Sequence, residues 1–378
     1  MKVKLRDVSN IIMGQSPDSS TYNTENIGLP FFQGNADFGE LNPIAKTWCS
    51  SPIKIAYKNY ILISVRAPIG ALNIAAETCC IGRGLAALDV NNKMCTEKYL
   101  WYLLKAKKNE LLSKGTGSTF KAISKNILSE MEFNIPPVRE QELCTKTLDV
   151  VFGLIRLKKE QLDKLDLLVK SRFIEMFGES NYPLVKACDV CDFITKGTTP
   201  NTKEIYENYT DERIPFLKVY NLSNTGKLLF KNKTQYIDNS VHNGELSRSI
   251  VFPNDVLMNI VGPPLGKFAI VDDSFPEWNV NQAIAIFRAK REILPLYLLY
   301  SLMQDDILSP FLQKAVGVRQ LNISLEQCRE LQFRLPPLNL QHNFSVFAQQ
   351  VDKSKLAIQQ SLDELETLKK SLMQQYFG

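Results

Sequence analysis

The amino-acid sequence predicts an α+β protein that consists of two diverged copies of one unit, each a mixed α/β domain followed by a long helix. Three observations support this prediction. Residues 135–178 recur as residues 335–378 at a constant spacing of two hundred residues, without a gap. Both copies start with Pro-Pro and continue into an apolar pattern of helical period. Shorter blocks ahead of the two copies also recur in the same order.

Each long-helix segment carries a heptad stripe, the pattern by which two helices pack along a seam. Pro-Pro suits the start of a helix, and Gly178 and Gly378 suit its end. The predicted seam residues are Leu148, Val151, Ile155, Leu162, Leu165 and Val169 in the first copy, and Val351, Ile358, Leu362, Leu365 and Leu372 in the second.

A stripe this narrow needs a partner helix, and the other copy has the same pattern. We expect the two helices to form an antiparallel coiled coil, which relates the copies by a pseudo-two-fold and places Gly378 with the first domain. The alternative is that each helix packs separately on its own domain. The predicted domains are residues 1–135 and 181–335, and the helical spacers are residues 136–180 and 336–378.

The same series of elements precedes each helix. Both copies begin with a glycine followed three residues later by proline, at Gly14 and Gly197. The spacing between the copies grows from block to block, so we expect the insertions to lie in loops. The predicted elements are hairpins of a mostly antiparallel sheet at 61–75 and 256–271, strands at 84–88 and 283–287, helices at 98–104 and 296–302, and polar loops at 115–124 and 315–324, each with one isoleucine in the core.

Composition indicates a soluble protein. The hydrophobic content of 44% and the charged content of 22% are ordinary for globular chains. The N-terminus leads into mixed polar sequence, so we expect no signal peptide, no membrane span and a cytoplasmic location. The net charge of +5 falls within residues 1–135, and the other three segments are each neutral. A mildly basic first domain is compatible with nucleic acid as a partner.

The eight cysteines lie in apolar contexts, as reduced core thiols do. Cys188 and Cys191 have the spacing of half a zinc site. The sequence has no second pair of this kind, and the matching positions in the first copy are Arg6 and Ser9. We therefore predict no metal site.

The doubled order of these motifs resembles the specificity subunit of type I restriction-modification enzymes over essentially the whole chain. The motifs are the glycine-proline start, the glycine- and proline-rich hairpin, the polar loop, and Pro-Pro-x-x-x-Gln before a long helix. The resemblance implies two target recognition domains and an antiparallel coiled coil that docks modification subunits. It also implies a bipartite asymmetric DNA target, with one half read by each domain and a spacer set by the helices.

The resemblance further implies a non-catalytic chain that directs adenine methylation and restriction by its partners. The expected partners are double-stranded DNA and two copies of a modification subunit, and whether restriction subunits join is left open. S-adenosylmethionine and ATP with Mg²⁺ are expected on the partner subunits, with no cofactor in this chain. The sequence agrees, since Gly226-Lys227 and Gly266-Lys267 lack the residues of an ATP-binding loop. No Pro-Pro pair has the flanking residues of an adenine methyltransferase motif.

Candidate DNA-binding residues are polar side chains in or beside the repeated turns and loops, because bases and phosphates are contacted by such groups. They are Arg66, Arg83, Ser118, Thr119 and Lys121 in the first copy, and Lys218, Lys267, Gln282, Arg319, Gln320 and Asn322 in the second.

Two other functions are compatible with the same sequence. The first is a protein-bridging scaffold that does not read DNA, for which the polar loops would be dispensable. The second is a DNA-binding regulator that works without a modification partner, and copurification would distinguish it.

Overall fold

A computed structural model of the chain describes residues 1–115, 121–178, 181–262, 265–313 and 321–378. The described residues form two compact units, Met1–Lys159 with Gln360–Gly378 and Glu160–Gln359. Each unit therefore contains one globular part together with portions of both long helices. No helix among these residues is long and apolar enough to cross a membrane.

The helices, in chain order, are α1 (Leu5–Val8), α2 (Glu97–Ala106), α3 (Lys108–Lys114), α4 (Lys125–Ser129), α5 (Val138–Phe177), α6 (Ala187–Val190), α7 (Asn239–Asn243), α8 (Pro295–Leu302), α9 (Asp305–Gln313), α10 (Leu325–Arg329) and α11 (Leu338–Phe377). The strands of the first unit are β1 (Lys2–Lys4), β2 (Ser9–Met13), β3 (Tyr22–Asn23), β4 (Leu29–Phe32), β5 (Trp48–Cys49), β6 (Ile55–Ala56), β7 (Ile61–Ser64), β8 (Leu72–Ile74), β9 (Cys79–Ile81), β10 (Leu85–Val90) and β11 (Glu132–Asn134). Those of the second are β12 (Leu184–Lys186), β13 (Cys191–Lys196), β14 (Arg213–Leu217), β15 (Tyr236–Asp238), β16 (Ile250–Val251), β17 (Val256–Asn259), β18 (Val261–Gly262), β19 (Phe268–Ile270), β20 (Trp278–Val280), β21 (Ile284–Ala289), β22 (Leu321–Asn322) and β23 (Gln332–Arg334).

The sheets of the two units have corresponding strand orders. One sheet runs β2-β10-β7-β8 in the first unit and β13-β21-β17-β19 in the second. A second sheet runs β3-β5-β4-β9-β6 in the first unit and β15-β14-β20-β16 in the second, and the two-stranded sheet β1-β11 corresponds to β12-β23. The predicted hairpins are confirmed as the antiparallel pairs β7 with β8 and β17 with β19. Among the strands that the structure describes, pairing is antiparallel except at β4 with β9 and β14 with β20, which are parallel.

Each central strand separates two hydrophobic clusters, because alternate side chains of a strand point to opposite faces. Ile61 and Ile63 of β7 pack in the cluster that contains Tyr99 of α2, whereas Leu62 packs with Phe32. In the second unit, β17 divides its side chains in the same way between the α8 cluster and the cluster of Trp278. The predicted helices at 98–104 and 296–302 are confirmed as α2 and α8.

The long helices start directly after their Pro-Pro pairs, earlier than the heptad stripe alone indicates. The buried Gln141 explains this start. Its Oε1 accepts from the backbone N–H of Thr96 at 2.9 Å, and its Nε2 donates to Met94 O at 3.0 Å and Pro136 O at 2.8 Å. Gln341 makes the corresponding three bonds to Leu294 N, Glu292 O and Pro336 O. The glutamine of each Pro-Pro-x-x-x-Gln motif thus binds its helix to the turn before α2 or α8.

The predicted antiparallel pairing of the long helices is confirmed within each unit. In the first unit, Leu148 near the start of α5 shares a cluster with Phe377 at the end of α11. In the second, Phe173 near the end of α5 lies 5.2 Å, between ring centroids, from Phe344 near the start of α11. Gly378 belongs to the first unit, as expected. The alternative, in which each helix packs only on its own domain, is wrong for the described residues.

One prediction about the insertions is wrong. The connection between β15 and β16 is longer than that between β5 and β6, and it contains α7 rather than only loop. The buried His242 of α7 accounts for the helix, since its Nδ1 accepts from Asn279 Nδ2 at 2.8 Å and its Nε2 lies 3.1 Å from Glu277 Oε2. Val241 and Leu246 add an apolar contact. The inserted residues therefore form a helix because they include a side chain, His242, that is buried and hydrogen-bonded.

Candidate nucleic-acid interface

The glycine-proline start of each copy supports a turn at a sheet edge. A Cβ on Gly14 would lie 2.2 Å from Gly82 O, and one on Gly197 would lie 2.1 Å from Val280 O, so only glycine allows this close approach. Two residues further on, a hydroxyl accepts a backbone N–H from the turn. Ser16 Oγ accepts from Arg83 and Thr199 Oγ1 accepts from Gln282, each at 3.3 Å. The start motif thus fixes the turn that carries a candidate DNA-binding residue in either unit.

The structure brings three first-unit candidates together. Arg66 and Arg83 are exposed and line one cavity of about 290 Å³ with Gln33. Lys121, also exposed, precedes Ala122, which forms a β-bridge with Arg66. Ser118 and Thr119 lie outside the described residues. Because Ile123 N–H donates to Val65 O at 2.8 Å and its side chain is buried, the end of this loop is held beside the arginines, and the prediction that the isoleucine enters the core is confirmed.

The four described candidates of the second unit fall into two pairs. Lys218 directly follows β14, and Gln282 follows Asn281, whose N–H donates to Leu217 O at 2.9 Å. Lys267 directly precedes β19, and its N–H donates to Asn259 Oδ1 at 2.7 Å.

Asn322, the other member of the second pair, is exposed on β22 and is the register partner of Val261. The residue after it is held as Ile123 is in the first unit, since Ile323 N–H donates to Ile260 O at 2.9 Å and the Ile323 side chain is buried. Arg319 and Gln320 lie outside the described residues.

Sequence reasoning missed polar residues at the same edges. Gln33 follows the Pro-Phe-Phe block as Lys218 follows Pro-Phe-Leu, so alignment of the two copies could have found it. Arg248 donates from its guanidinium to Thr198 Oγ1 at 3.1 Å, beside Thr199. Arg248 lies in the longer connection of the second unit, where the first copy offers no counterpart to align.

Electrostatics favour an anion at the second unit's edge. The side chain of Lys218 is partly buried, and this burial together with the neighbouring Lys233 lowers the pKa of Lys218. A lysine whose charge is disfavoured in this way gains most from a nearby phosphate, because the phosphate compensates for the lost water and the repulsion.

None of the eleven predicted seam residues is exposed. Leu148, Val151, Ile155, Val169, Val351 and Leu362 are buried, and Leu162, Leu165, Ile358, Leu365 and Leu372 are half-buried. The seam also contains Lys355, which sequence reasoning missed. Lys355 is only 4% exposed, and its Nζ lies 2.5 Å from Asp166 Oδ1 and 3.3 Å from Asp352 Oδ1. The signal was the seam position left empty between Val351 and Ile358.

The described residues contain no group of three or more side chains placed to hold a metal ion. Cys191 is buried in the main hydrophobic cluster of the second unit, where burial raises the pKa of its thiol to about 12. Its neighbour Cys188 is half-buried on α6, with Sγ 3.8 Å from Asp189 Oδ1.

Comparison with known proteins gives consistent results. The sequence matches the family described as the type I restriction modification DNA specificity domain over residues 1–167 and again over 179–367. A putative type I restriction enzyme MjaX specificity subunit of Methanocaldococcus jannaschii is 40% identical over 156 residues, which are 41% of this chain and 37% of that protein. The EcoBI specificity subunit of Escherichia coli is 21% identical over 100% of this chain and 85% of its own length.

Two solved structures share the fold. A chain from a study titled as the structural basis of complex assembly and conformational transition of the type I R-M system aligns with a TM-score of 0.61 at 16% identity, over 100% of this chain and 97% of its own. The type I S subunit from M. genitalium aligns with a TM-score of 0.56, also at 16% identity, over 100% and 96% of the two chains. Because the family match covers both halves, the chain belongs to the family of type I restriction modification DNA specificity domains.

Proposed function

We propose that this chain is a non-catalytic specificity subunit that reads a bipartite, asymmetric DNA target and directs adenine methylation and restriction by partner subunits. We keep residues 1–135 and 181–335 as the two reading domains and residues 136–180 and 336–378 as the helical spacers. One observation carries the proposal: two matches to a DNA specificity domain coincide with two units of the same fold, and the equivalent edges of these units present different polar side chains.

The side chains at the two edges suit contact with DNA. Arg66 and Arg83 present guanidinium groups, which pair with the O6 and N7 of guanine in the major groove. Lys121, Lys218 and Lys267 suit phosphates, which set position without reading sequence. Gln282 and Asn322 carry amides that can read a base edge. We assign Ser118, Thr119, Arg319 and Gln320 to the same loops on the basis of the sequence repeat.

The partner subunits would bind to the long helices. Leu143 of α5 is 66% exposed, Leu167 is 63% exposed and Leu356 of α11 is 62% exposed. Apolar surface of this kind on a helix is buried when another protein packs on it. We assign the exposed apolar residues to modification subunits, in two copies because the helix repeats. The exposed apolar residues of the two helices are Leu143, Val150, Leu154, Leu157, Leu167, Leu168, Ile174, Leu338, Val346, Leu356 and Leu368.

In this proposal the chemistry belongs to the partners. The modification subunits would hold S-adenosylmethionine, and restriction subunits, where present, would hold ATP with Mg²⁺. This chain would recognise the DNA sequence and set the distance between the two half-sites. It would hold no cofactor of its own.

The test is to map methylated adenines across the host genome with and without this gene. We expect one bipartite motif to be methylated in the parent strain and to lose methylation in the deletion strain. Unchanged methylation would contradict the proposal. Two further results separate the alternatives: a scaffold would tolerate alanine at Arg66, Arg83 and Gln282 without a change in the methylated sites, and a solitary regulator would not copurify with a modification subunit.

A further inference from the structure

Buried polar atoms without a hydrogen-bond partner gather at one edge of the second unit. Among the described residues, six buried side-chain nitrogen or oxygen atoms have no partner, and three of them are Tyr220 Oη, Gln235 Oε1 and Asn281 Oδ1. A buried polar group that has lost water and gained no partner is destabilising, so its presence in a native protein needs a reason.

Backbone hydrogen bonds place these three residues around the end of β14. The N–H of Phe216 donates to Gln235 O at 2.8 Å on one flank of the strand. The N–H of Asn281 donates to Leu217 O at 2.9 Å on the other flank. Tyr220 lies in the turn that follows the strand. The two unpartnered amides therefore flank one strand end, beside the candidate residues Lys218 and Gln282.

Positive charge surrounds this strand end. Lys218 follows β14 directly, and Lys233 Nζ lies 5.0 Å from the centroid of the Tyr220 ring. The guanidinium of Arg248 is held by Thr198 Oγ1, next to the hydroxyl that supports Gln282. Cationic side chains of this kind bind phosphates, and the amides that lie between them can contact the edge of a base.

The first unit shows that the shared fold does not require these amides. Its corresponding backbone bonds run from Phe31 N–H to Thr47 O and from Gly82 N–H to Phe32 O, each at 2.8 Å. Thr47 and Gly82 thus occupy the positions of Gln235 and Asn281. A Cβ on Gly82 would lie 3.0 Å from the Cα of Gln33, so the first unit has little room for an amide there. The amides are specific to the second unit and serve something other than the fold.

We propose that Asn281 and Gln235 are base-reading residues of the second unit and that their amide oxygens accept hydrogen bonds from the exocyclic amino group of adenine in the major groove. An asparagine or glutamine amide matches adenine, because it accepts from N6 and donates to N7. Both residues are partly exposed although these oxygens are buried, and in this proposal a rotation of each amide brings its oxygen to a base. This inference rests on the function proposed above and names the residues and the base class for one half of the target.

The test uses the full chain in complex with its modification subunit and duplex DNA that contains the mapped target. Each base pair of the second half is replaced in turn, and affinity is measured for every duplex. The variants Asn281→Gly and Gln235→Thr introduce the residues of the first unit. We expect each to reduce discrimination at one adenine position about tenfold to hundredfold, with the first half of the target read as before. Asn224→Gly, an exposed asparagine of the same unit, is the matched control.

A third variant separates reading from folding. Asn281→Leu has nearly the same shape and no charge but loses both the acceptor oxygen and the N–H donor of the amide, so we expect a melting temperature that does not fall and a lost preference for adenine. Discrimination that stays unchanged at every position, or an equal loss of affinity for all duplexes, would overturn the proposal. An active complex with unaltered reading refutes only this inference, whereas methylation that persists in the deletion strain refutes the function itself.

Discussion

The two units agree at the starts of their long helices and differ in the middle of the helix seam. Gln141 and Gln341 are buried and make the same three hydrogen bonds with closely similar lengths. Halfway along the seam, the first copy has Ile155 where the second has Lys355, and both side chains are buried. A site that satisfies three fixed backbone groups accepts one residue type. A seam position accepts any buried side chain that is either apolar or paired with an opposite charge. The two copies can therefore diverge there.

Exchange of a whole reading domain should give the largest effect. We expect replacement of residues 181–335 by the matching segment of a related protein to change one half of the DNA target completely and to leave the other half as it was. The reason is that the two units have separate sheets and hydrophobic clusters: the main cluster of the second unit, among the described residues, includes parts of α5 and α11 but no residue of 1–135. Mapping of methylated adenines measures the outcome. If both halves changed together, the two units could not be treated as independent readers.

Removal of either glutamine should have the next largest effect. Gln141→Ala leaves a buried N–H and two carbonyl groups without their partner and opens a cavity, so we expect it to lower the free energy of unfolding of its unit by about 2–4 kcal/mol. Gln341→Ala should have the same effect in the other unit. Hydrogen exchange at α2 and α8 measures each unit separately. The exposed Gln161→Ala is the control, and clearly unequal effects of the two variants would show that the sites are not equivalent.

The parts of the fold that the sequence predicts are those with a periodic pattern or a repeat. The hairpins, α2, α8 and the helix pair each follow a period of two or of about three and a half residues, and each occurs twice. Burial of Lys355 was not predicted, because a lysine in a heptad position normally indicates an exposed side chain. Only the structure reveals the carboxylate of Asp166 beside it. The helix α7 was not predicted, because it depends on the hydrogen bond between His242 and Asn279, which are distant in the sequence.

The candidate site was predicted less completely, for a physical reason. Repeated turns show where side chains can reach DNA, so Arg66 and Arg83 were found and lie together. Gln235 and Asn281 stand out only as buried oxygens without partners, and that property depends on every neighbouring atom in three dimensions. Sequence reasoning therefore located the edges of the sheets but not the full set of groups that they carry.

The ion pair at Lys355 should distinguish the two halves of the seam. Asp166→Ala leaves a buried ammonium with only Asp352, so we expect a loss of about 2–3 kcal/mol in the stability of the second unit. Glu366→Ala, at the repeat-related position in the first unit, removes contacts to Lys369 and, at 3.5 Å, to the exposed Lys159. Water reaches all three side chains, so the loss should be less than about 1 kcal/mol. Thermal unfolding of both variants gives the comparison.

Replacement of Lys355 tests in a second way whether the buried ion pair distinguishes the two seams. Lys355→Ile introduces the residue of the first copy, so the double variant Lys355→Ile with Asp166→Ala should recover most of the stability that Asp166→Ala loses. Equal effects of Asp166→Ala and Glu366→Ala, or no recovery in the double variant, would mean that the buried lysine is not what distinguishes the two seams.

The smallest effect is expected where the units agree but water screens the contact. Lys186 pairs with Glu330 at 2.6 Å in the second unit, as Lys4 pairs with Glu130 at 2.5 Å in the first. Glu330 raises the pKa of Lys186 above the ordinary lysine value of 10.5. A raised lysine pKa stabilises the folded state below pH 10.5, and this contribution is lost as the pH rises through the pKa of the folded state. Both side chains are exposed, however, and exposed pairs contribute little.

We therefore expect Lys186→Ala to leave the melting temperature unchanged between pH 6 and pH 9, a range in which the lysine is charged in both states. Lys4→Ala is the matched variant of the first unit, where Arg6 also pairs with Glu130 and can replace the lysine. A melting temperature that fell for Lys186→Ala and not for Lys4→Ala would show that this exposed pair matters only where no second cation is present. The pairs Lys186–Glu330 and Lys4–Glu130 would then share their geometry but differ in their contribution to stability.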